Sequence, residues 1–258
     1  MRKVWRMSRG KLGANMIIQK FGGIAMRDKL MRIKCIEHIK TGIHHYRKVV
    51  IVVSAIGRYG DPYATDTLLN LTEAFSVDRA ARDLVASCGE LIAASVLSAE
   101  LNEAKVKNIV LHGTRAGILT DGNFGDAEIV QIDTSTILSY LEKMDCIIIP
   151  GYQGLDLNGN VMTLGRGGSD LTAVALAAAL NASHAEFFKD VQGVMTTDPK
   201  NSKDFQKIDF LSQEDFIHLL DLERPIIQKR AALYAKEKAI PLYVQGIATN
   251  ETGTWILP

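Results

Sequence analysis

The chain has 258 residues, 47% of them hydrophobic, and its 30 basic and 29 acidic side chains leave a formal charge of +1. That balance supplies no global drive toward nucleic acid or an anionic membrane, so any anion binding must rest on local charge. The length suffices for one large domain or two modest lobes, and the three widely spaced cysteines, Cys35, Cys88 and Cys146, form neither a disulfide framework nor a zinc pattern.

Residues 1–15 are basic and lack the apolar centre of a secretory signal, which leaves two readings: a disordered extension, or a natural start at Met16, directly ahead of the first strand. The run Ile17-Ile18-Gln19-Lys20-Phe21 reads as a strand that closes in Lys20-Phe21-Gly22-Gly23. At the carboxyl end of a parallel strand a Gly-Gly pair lets backbone approach phosphates, and Lys20 would bring a mobile cation to a transferring group. The same residues also suit an ordinary solvated turn, and they are not the Gly-x-x-x-x-Gly-Lys-Ser/Thr loop. Lys29 to Lys40 has helical periodicity, and Val49 to Val53 is apolar throughout, as a strand covered on both faces requires.

Ser54-Ala55 ends that strand, and Gly57, Gly60 and Pro62 mark the following stretch to Asp66 as a loop. Thr65 lies just ahead of a helix expected over 67–74, where capping is its plainest role. A long helix follows over Asp78 to Glu103 and carries Glu90 among apolar neighbours. A buried carboxylate needs a partner, either the ammonium of a ligand or an internal arginine.

Asn108 to Leu111 and Cys146 to Ile149 read as strands around a helix over Thr134 to Lys143, and Asn158-Gly159 reads as a hairpin turn. Gly165-Arg166-Gly167-Gly168-Ser169-Asp170 then runs directly into a helix over Ser169 to Leu180. Its glycines permit close backbone approach, the helix start offers free N–H groups, and Arg166 can grip a carboxylate or phosphate with two parallel bonds. A strand over Ala185 to Phe188 leads into Lys189-Asp190 and onward to Lys200, where Asp190 could accept from a ribose or purine and Lys200 could neutralise polyphosphate; a turn-rich surface excursion is the plain alternative. Leu242 to Val244 is a last strand.

Strands alternating with amphipathic helices argue for an α/β fold, without repeats or a linker that would mark a domain cut. No apolar run reaches the ~18–20 residues needed to span a bilayer, so the expectation is a soluble protein; the cysteines suit a reduced cytoplasmic setting, and the near-neutral charge argues for no membrane or nucleic-acid partner. Several strand ends carry glycine beside a charged or hydroxyl residue, and parallel topology gathers such ends at one edge. With no Ser-His-Asp, Cys-His or His-Glu-x-x-His pattern, phosphoryl transfer is the chemistry these loops fit.

From about Met16 to Trp255 the KFGG start, SAIGRYGDPYATDTLL, SCGE, PGYQG and GRGGSD occur in the order found in aspartate kinases, and the chain resembles the catalytic domain of that family, within the amino-acid kinase superfamily. The resemblance implies a three-layer αβα sandwich over residues 16–258 with a largely parallel central sheet, an aspartate-binding lobe, and a nucleotide-binding lobe from about residue 170. It implies ATP with Mg2+ held mainly through ATP, no protein metal site, a homodimer, and formation of 4-phospho-L-aspartate for lysine, diaminopimelate, threonine and methionine synthesis. Lys20 and Asp170 are similar to the catalytic pair. Thr65, Glu90, Arg166, Gly167, Gly168 and Ser169 correspond to the aspartate set. The nucleotide set would comprise Lys20, Phe21, Gly22, Gly23 and Ser54, then Lys189, Asp190, Met195 and Lys200, then Pro225 and Ile226.

Several positions depart from the family pattern. Ile24-Ala25 replaces two hydroxyl residues, Lys189 replaces a threonine, Gln192 an acid and Arg115 a glutamine, and Pro225-Ile226 stands where Lys-Val is usual. Loss of a phosphate-facing lysine predicts a deficit of about 1.5 to 3 kcal/mol, or roughly ten- to hundredfold in nucleotide affinity. The alternative is therefore a weakened paralogue that binds aspartate or a protein partner. The sequence stops where the family proceeds to ACT regulatory domains, so the expectation is insensitivity to end products.

Overall fold

The computed structural model describes residues 15–75, 78–196, 206–220, 225–249 and 251–258. Its first part contains β1 (Met16–Phe21), the single turn α1 (Gly23–Met26), α2 (Lys29–Tyr46), β2 (Lys48–Val53), α3 (Thr65–Asn70), α4 (Arg79–Glu103) and β3 (Asn108–Val110). There follow β4 (Ile118–Thr120), β5 (Ile129–Ile132), α5 (Ser135–Leu141), β6 (Cys146–Pro150), β7 (Gln153–Leu155) and β8 (Val161–Thr163). The remainder supplies α6 (Gly168–Ala179), β9 (Ala185–Lys189), β10 (Phe210–Ser212), α7 (Gln213–His218), α8 (Lys229–Glu237), β11 (Leu242–Gly246) and β12 (Thr254–Leu257).

Eight strands form one sheet in the order β10-β12-β11-β9-β1-β2-β6-β3, parallel at every pairing except β11 with β12. Side chains of successive strand residues point to opposite faces, and here both faces are covered. Ile17, Phe21, Val49, Ile51 and Cys146 join α2 and α4 in one core. Ile18, Val50, Val52, Ile147 and Phe187 join α5, α6 and α8 in the other. The result is the expected three-layer αβα arrangement. A second sheet, β5-β4-β7-β8, includes the β7–β8 hairpin, with Gly159 at φ +83° in its turn as the Asn-Gly pair predicts.

Strands from residues 48–150 lie on one side of β1, and those from 185–257 lie on the other. β1 is thus the point where the strand order reverses, the usual ligand position in an open parallel sheet. Register keeps the strand ends level there, with Phe21 opposite both Val53 and Phe188. Residues 22–23, 54–66 and 190–193 therefore leave the sheet along one edge.

Two elements differ from the sequence expectation. α3 spans Thr65–Asn70 rather than 67–74, because Leu68 is its buried anchor while Leu71 and Phe75 beyond it have nothing to pack against and lie 66% and 72% exposed. α4 corrects the statement that no segment could span a bilayer, since by length and composition its 25 residues pass that test. It packs as a core helix, burying Ala86, Ala93, Leu97 and Leu101 and also carrying buried Asp83 and Glu90. Asp83 fastens this helix to its neighbours: one carboxylate oxygen accepts from the N–H groups of Gly125 (2.9 Å) and Thr163 (2.7 Å), and the other from the Thr163 hydroxyl (3.0 Å).

Candidate functional site

A cleft of about 500 Å³ opens along the edge where β1, β2 and β9 end and α6 begins. Strand alternation turns Lys20 toward α6, where its Nζ meets Asp170 Oδ1 at 2.7 Å. From the end of β9, Lys189 Nζ approaches Oδ2 of the same carboxylate at 3.6 Å, and the Gln228 N–H donates to that oxygen at 3.2 Å. Lys20 and Asp170 are only 6% and 5% exposed. Burial works to raise the Asp170 pKa, but the charges of Lys189 and Lys20 outweigh it and take the group down to about 2. Burial pulls Lys189 down to about 8 against the attraction of Asp170.

The glycine turn ahead of α6 orders the other wall. Gly167 caps the helix at φ +77°, a conformation that favours glycine, and a Cβ there would overlap the Gln228 side chain. Of the first four α6 amides, those of Gly168, Asp170 and Leu171 donate to the carbonyls of Gly165 and Gly167. The helix start therefore offers fewer open N–H groups than the sequence suggested, and positive character in the cleft comes chiefly from side chains. Arg166 lines it and makes no ion pair with any described residue.

Glu90 forms part of the floor. Gly89 lets α4 pack closely on the end of β2, since a Cβ there would stand 2.7 Å from Ala55 Cβ. The Ala55 N–H consequently donates to Glu90 Oε1 at 3.1 Å. Oε2 is buried without a partner among the described residues, and the side chain is not satisfied by an internal arginine. Burial, opposed by the Ala55 bond, raises the Glu90 pKa from 4.5 to about 8.

The cleft gathers Lys20, Gly22, Gly23, Ser54, Thr65, Glu90 and residues 166–170, together with Lys189, Asp190 and Pro225. Thr65 is the first residue of α3 and does not cap it; the cap position is Ala64, with no side-chain bond. Phe21 does not line the cleft, because alternation sends it to the face opposite Lys20, where it stacks on Phe188 at 4.6 Å. Ile226 packs against the core, and Met195 pairs with Lys207 away from the cleft lining. Lys200 and most of the basic N-terminal extension lie outside the described residues. Of the residues that depart from the family pattern, Ala25 is buried in the core, whereas Ile24, Lys189 and Pro225 line the cleft.

Sequence reasoning did not assign roles to Arg58, Asp66, Tyr152 or Gln228, all of which line the cleft. Arg58 and Tyr152 belong to segments singled out for their glycines, so position along the chain pointed to them. Arg58 Nη2 reaches Asp190 Oδ2 at 3.1 Å across the mouth, and both side chains are more than half exposed. Gln228 acts on Asp170 through its backbone N–H, which leaves no trace in residue type.

The family model for the amino acid kinase family matches residues 15–246. Aspartokinase 1 of Bacillus subtilis is 37% identical over 242 residues, covering 93% of this chain and 60% of the relative. The aspartokinase of Geobacillus stearothermophilus is 38% identical, with 93% of this chain and 58% of the relative covered. The chain thus spans about three-fifths of the length of these relatives. Aspartate kinase from Synechocystis superposes with a TM-score of 0.81 at 30% identity, over 94% of this chain and 39% of that one. E. coli aspartokinase III, in complex with aspartate and ADP, superposes with a TM-score of 0.79 at 23% identity, over 94% and 64%.

Proposed function

The chain belongs to the amino acid kinase family, and from that premise we propose that it transfers the γ-phosphoryl group of ATP to the β-carboxylate of L-aspartate, forming 4-phospho-L-aspartate. Glu90 carries the reading: a buried carboxylate with one oxygen unanswered by the described residues is matched by the α-ammonium of an amino acid. Arg166 would take the α-carboxylate, helped by Ser169 and Thr65, with Gly167 and Gly168 setting the turn. The relatives named aspartokinase, and the E. coli enzyme in complex with aspartate and ADP, support the same acceptor and donor.

The nucleotide side would comprise Gly22, Gly23 and Ser54 at the phosphates together with Lys189, Asp190 and Pro225, while Thr65, Glu90 and residues 166–169 would serve the acceptor. A β-carboxylate oxygen attacks the γ-phosphorus in line, and the bond from that phosphorus to the bridging oxygen of ADP breaks. Lys20 stabilises the charge on the transferring oxygens, and Asp170 fixes the ammonium so that little reorganisation is needed. Magnesium would enter as an ion carried mainly on ATP oxygens, where it would neutralise phosphate charge. In this role the protein would act in the cytoplasm as a homodimer and feed lysine, diaminopimelate, threonine and methionine synthesis.

The test is aspartyl hydroxamate formation from L-aspartate, ATP, Mg2+ and hydroxylamine. Wild type is expected to form it, and Lys20→Ala to lose about 10²- to 10³-fold in kcat, as when a single stabilising donor is removed. No product from folded wild type, where a related kinase works, would refute the assignment.

A further inference from the structure

Two ammonium groups share one carboxylate in this cleft. Lys20 holds Asp170 Oδ1 at 2.7 Å, while Lys189 stands at the looser distance of 3.6 Å from Oδ2, an oxygen that also accepts the Gln228 N–H. The trio carries one surplus positive charge in a place where the side chains are 6 to 17% exposed. Lys189 rests over the Phe187 ring at 5.7 Å, and Gly246 of β11 is its uncharged strand neighbour. Asp190, the following acid, is engaged with Arg58. A buried surplus cation is costly until an anion answers it. The anion that fits has several oxygens, because it must meet two ammonium groups held on opposite oxygens of one carboxylate.

We propose that Lys189 is a second phosphate-binding cation of the site, acting with Lys20 on the terminal phosphates of the nucleotide. The inference rests on the reading that a nucleotide occupies this cleft, and not on the identity of the acceptor. Because burial brings Lys189 down to about 8, its charge, and with it nucleotide affinity, should fall away as pH rises above that value. The charged groups facing it are Asp170 from α6, Lys20 from β1 and the adjoining Asp190, as expected from the contributions to its shift.

The experiment is calorimetric titration of the full chain with Mg-ADP and Mg-ATP from pH 6.5 to 9.5, for wild type, Lys189→Met and Lys189→Arg. Wild type should lose affinity up to about tenfold per pH unit above 8, as expected for loss of one essential proton. Lys189→Met should raise Kd about 10- to 100-fold at pH 7, by loss of a charge-assisted bond, and flatten the profile. Lys189→Arg should bind at pH 7 within a few fold of wild type and keep that affinity at pH 9.5, because guanidinium does not titrate there. Glu90 titrates in the same range, but it is common to all three proteins and cancels in the comparison. Lys189→Met binding within twofold of wild type overturns the proposal. If that variant fails to fold, Lys189→Arg decides alone, and an alkaline loss equal to wild type overturns it. Titration needs no acceptor, so tight nucleotide binding with an unaffected Lys189→Met defeats this proposal while leaving the kinase reading intact. Absence of any nucleotide binding to wild type defeats both.

Discussion

Replacing Glu90 with glutamine tests the electrostatics of the floor without touching its shape. In the unfolded chain the carboxyl ionises near 4.5, whereas burial holds it protonated in the folded protein up to about 8. The unfolded state therefore gains from ionisation first, and folding stability drains away as pH rises from 4.5 through 8. At about 1.36 kcal/mol per unit the whole window amounts to about 5 kcal/mol, of which about 3 kcal/mol falls between pH 5 and pH 8. Glutamine can still accept the Ala55 N–H, and its buried amide costs about 1 to 3 kcal/mol at every pH. Urea denaturation of both proteins between pH 5 and 8 isolates the effect, because all other titrating groups cancel in the difference. Wild type should lose about 3 kcal/mol relative to Glu90→Gln across that interval. Parallel stability curves would refute the claim that Glu90 is buried without a counter-charge.

Three further substitutions separate architecture from binding. Gly22 has φ −78°, which any residue adopts, and a Cβ there would stand 3.6 Å from Lys20 Nζ, in the space a phosphate would use. Gly22→Ala should change stability by less than about 0.5 kcal/mol yet weaken nucleotide binding about tenfold or more, read by thermal melting and calorimetry. At Gly23 the Cβ would stand 2.8 Å from the Ala55 carbonyl oxygen and overlap that of Gly57, neither of which can swing aside, so Gly23→Ala should destabilise by about 1 to 3 kcal/mol. Asp83→Asn can keep its oxygen on the two N–H donors and turn its amide to the Thr163 hydroxyl, which can accept, but it removes the carboxylate charge from all of these bonds; urea denaturation should show a loss of about 1 to 3 kcal/mol, and a loss below about 0.5 kcal/mol would remove Asp83 as the fastening of α4.

The central strands were legible because they are buried on both faces: β2 and β6 are almost wholly apolar, while β1 and β9 keep shorter apolar stretches beside Gln19, Lys20 and Glu186. β4, β10 and β12 are three or four residues long, and such lengths carry no periodicity to read. Within the site, glycine and charge at strand ends found Lys20, Arg166, Asp170 and Lys189, since parallel register alone brings those ends together. Phe21 shows where motif reading fails: it adjoins Lys20 in sequence, but a period of two places the pair on opposite faces. The Arg58–Asp190 contact joins residues 132 positions apart, and the Gln228 contribution is a backbone amide, so side-chain chemistry could announce neither.

Lys189 and Pro225 looked like independent losses when read along the chain, one removing a hydroxyl and the other a lysine. In space both line one cleft, and the ammonium that position 225 lacks is matched by one at position 189 that leans on the Asp170 carboxylate. If Lys189 meets phosphate as proposed, the two departures offset each other, and the expected ten- to hundredfold weakening of nucleotide binding need not appear. The folded chain then holds two groups perturbed in opposite senses, a carboxyl kept neutral by burial and an ammonium whose proton is loosened by it. An amino acid's ammonium relieves the first and a phosphate the second, so each proposed substrate completes a charge pair that the folded chain leaves open.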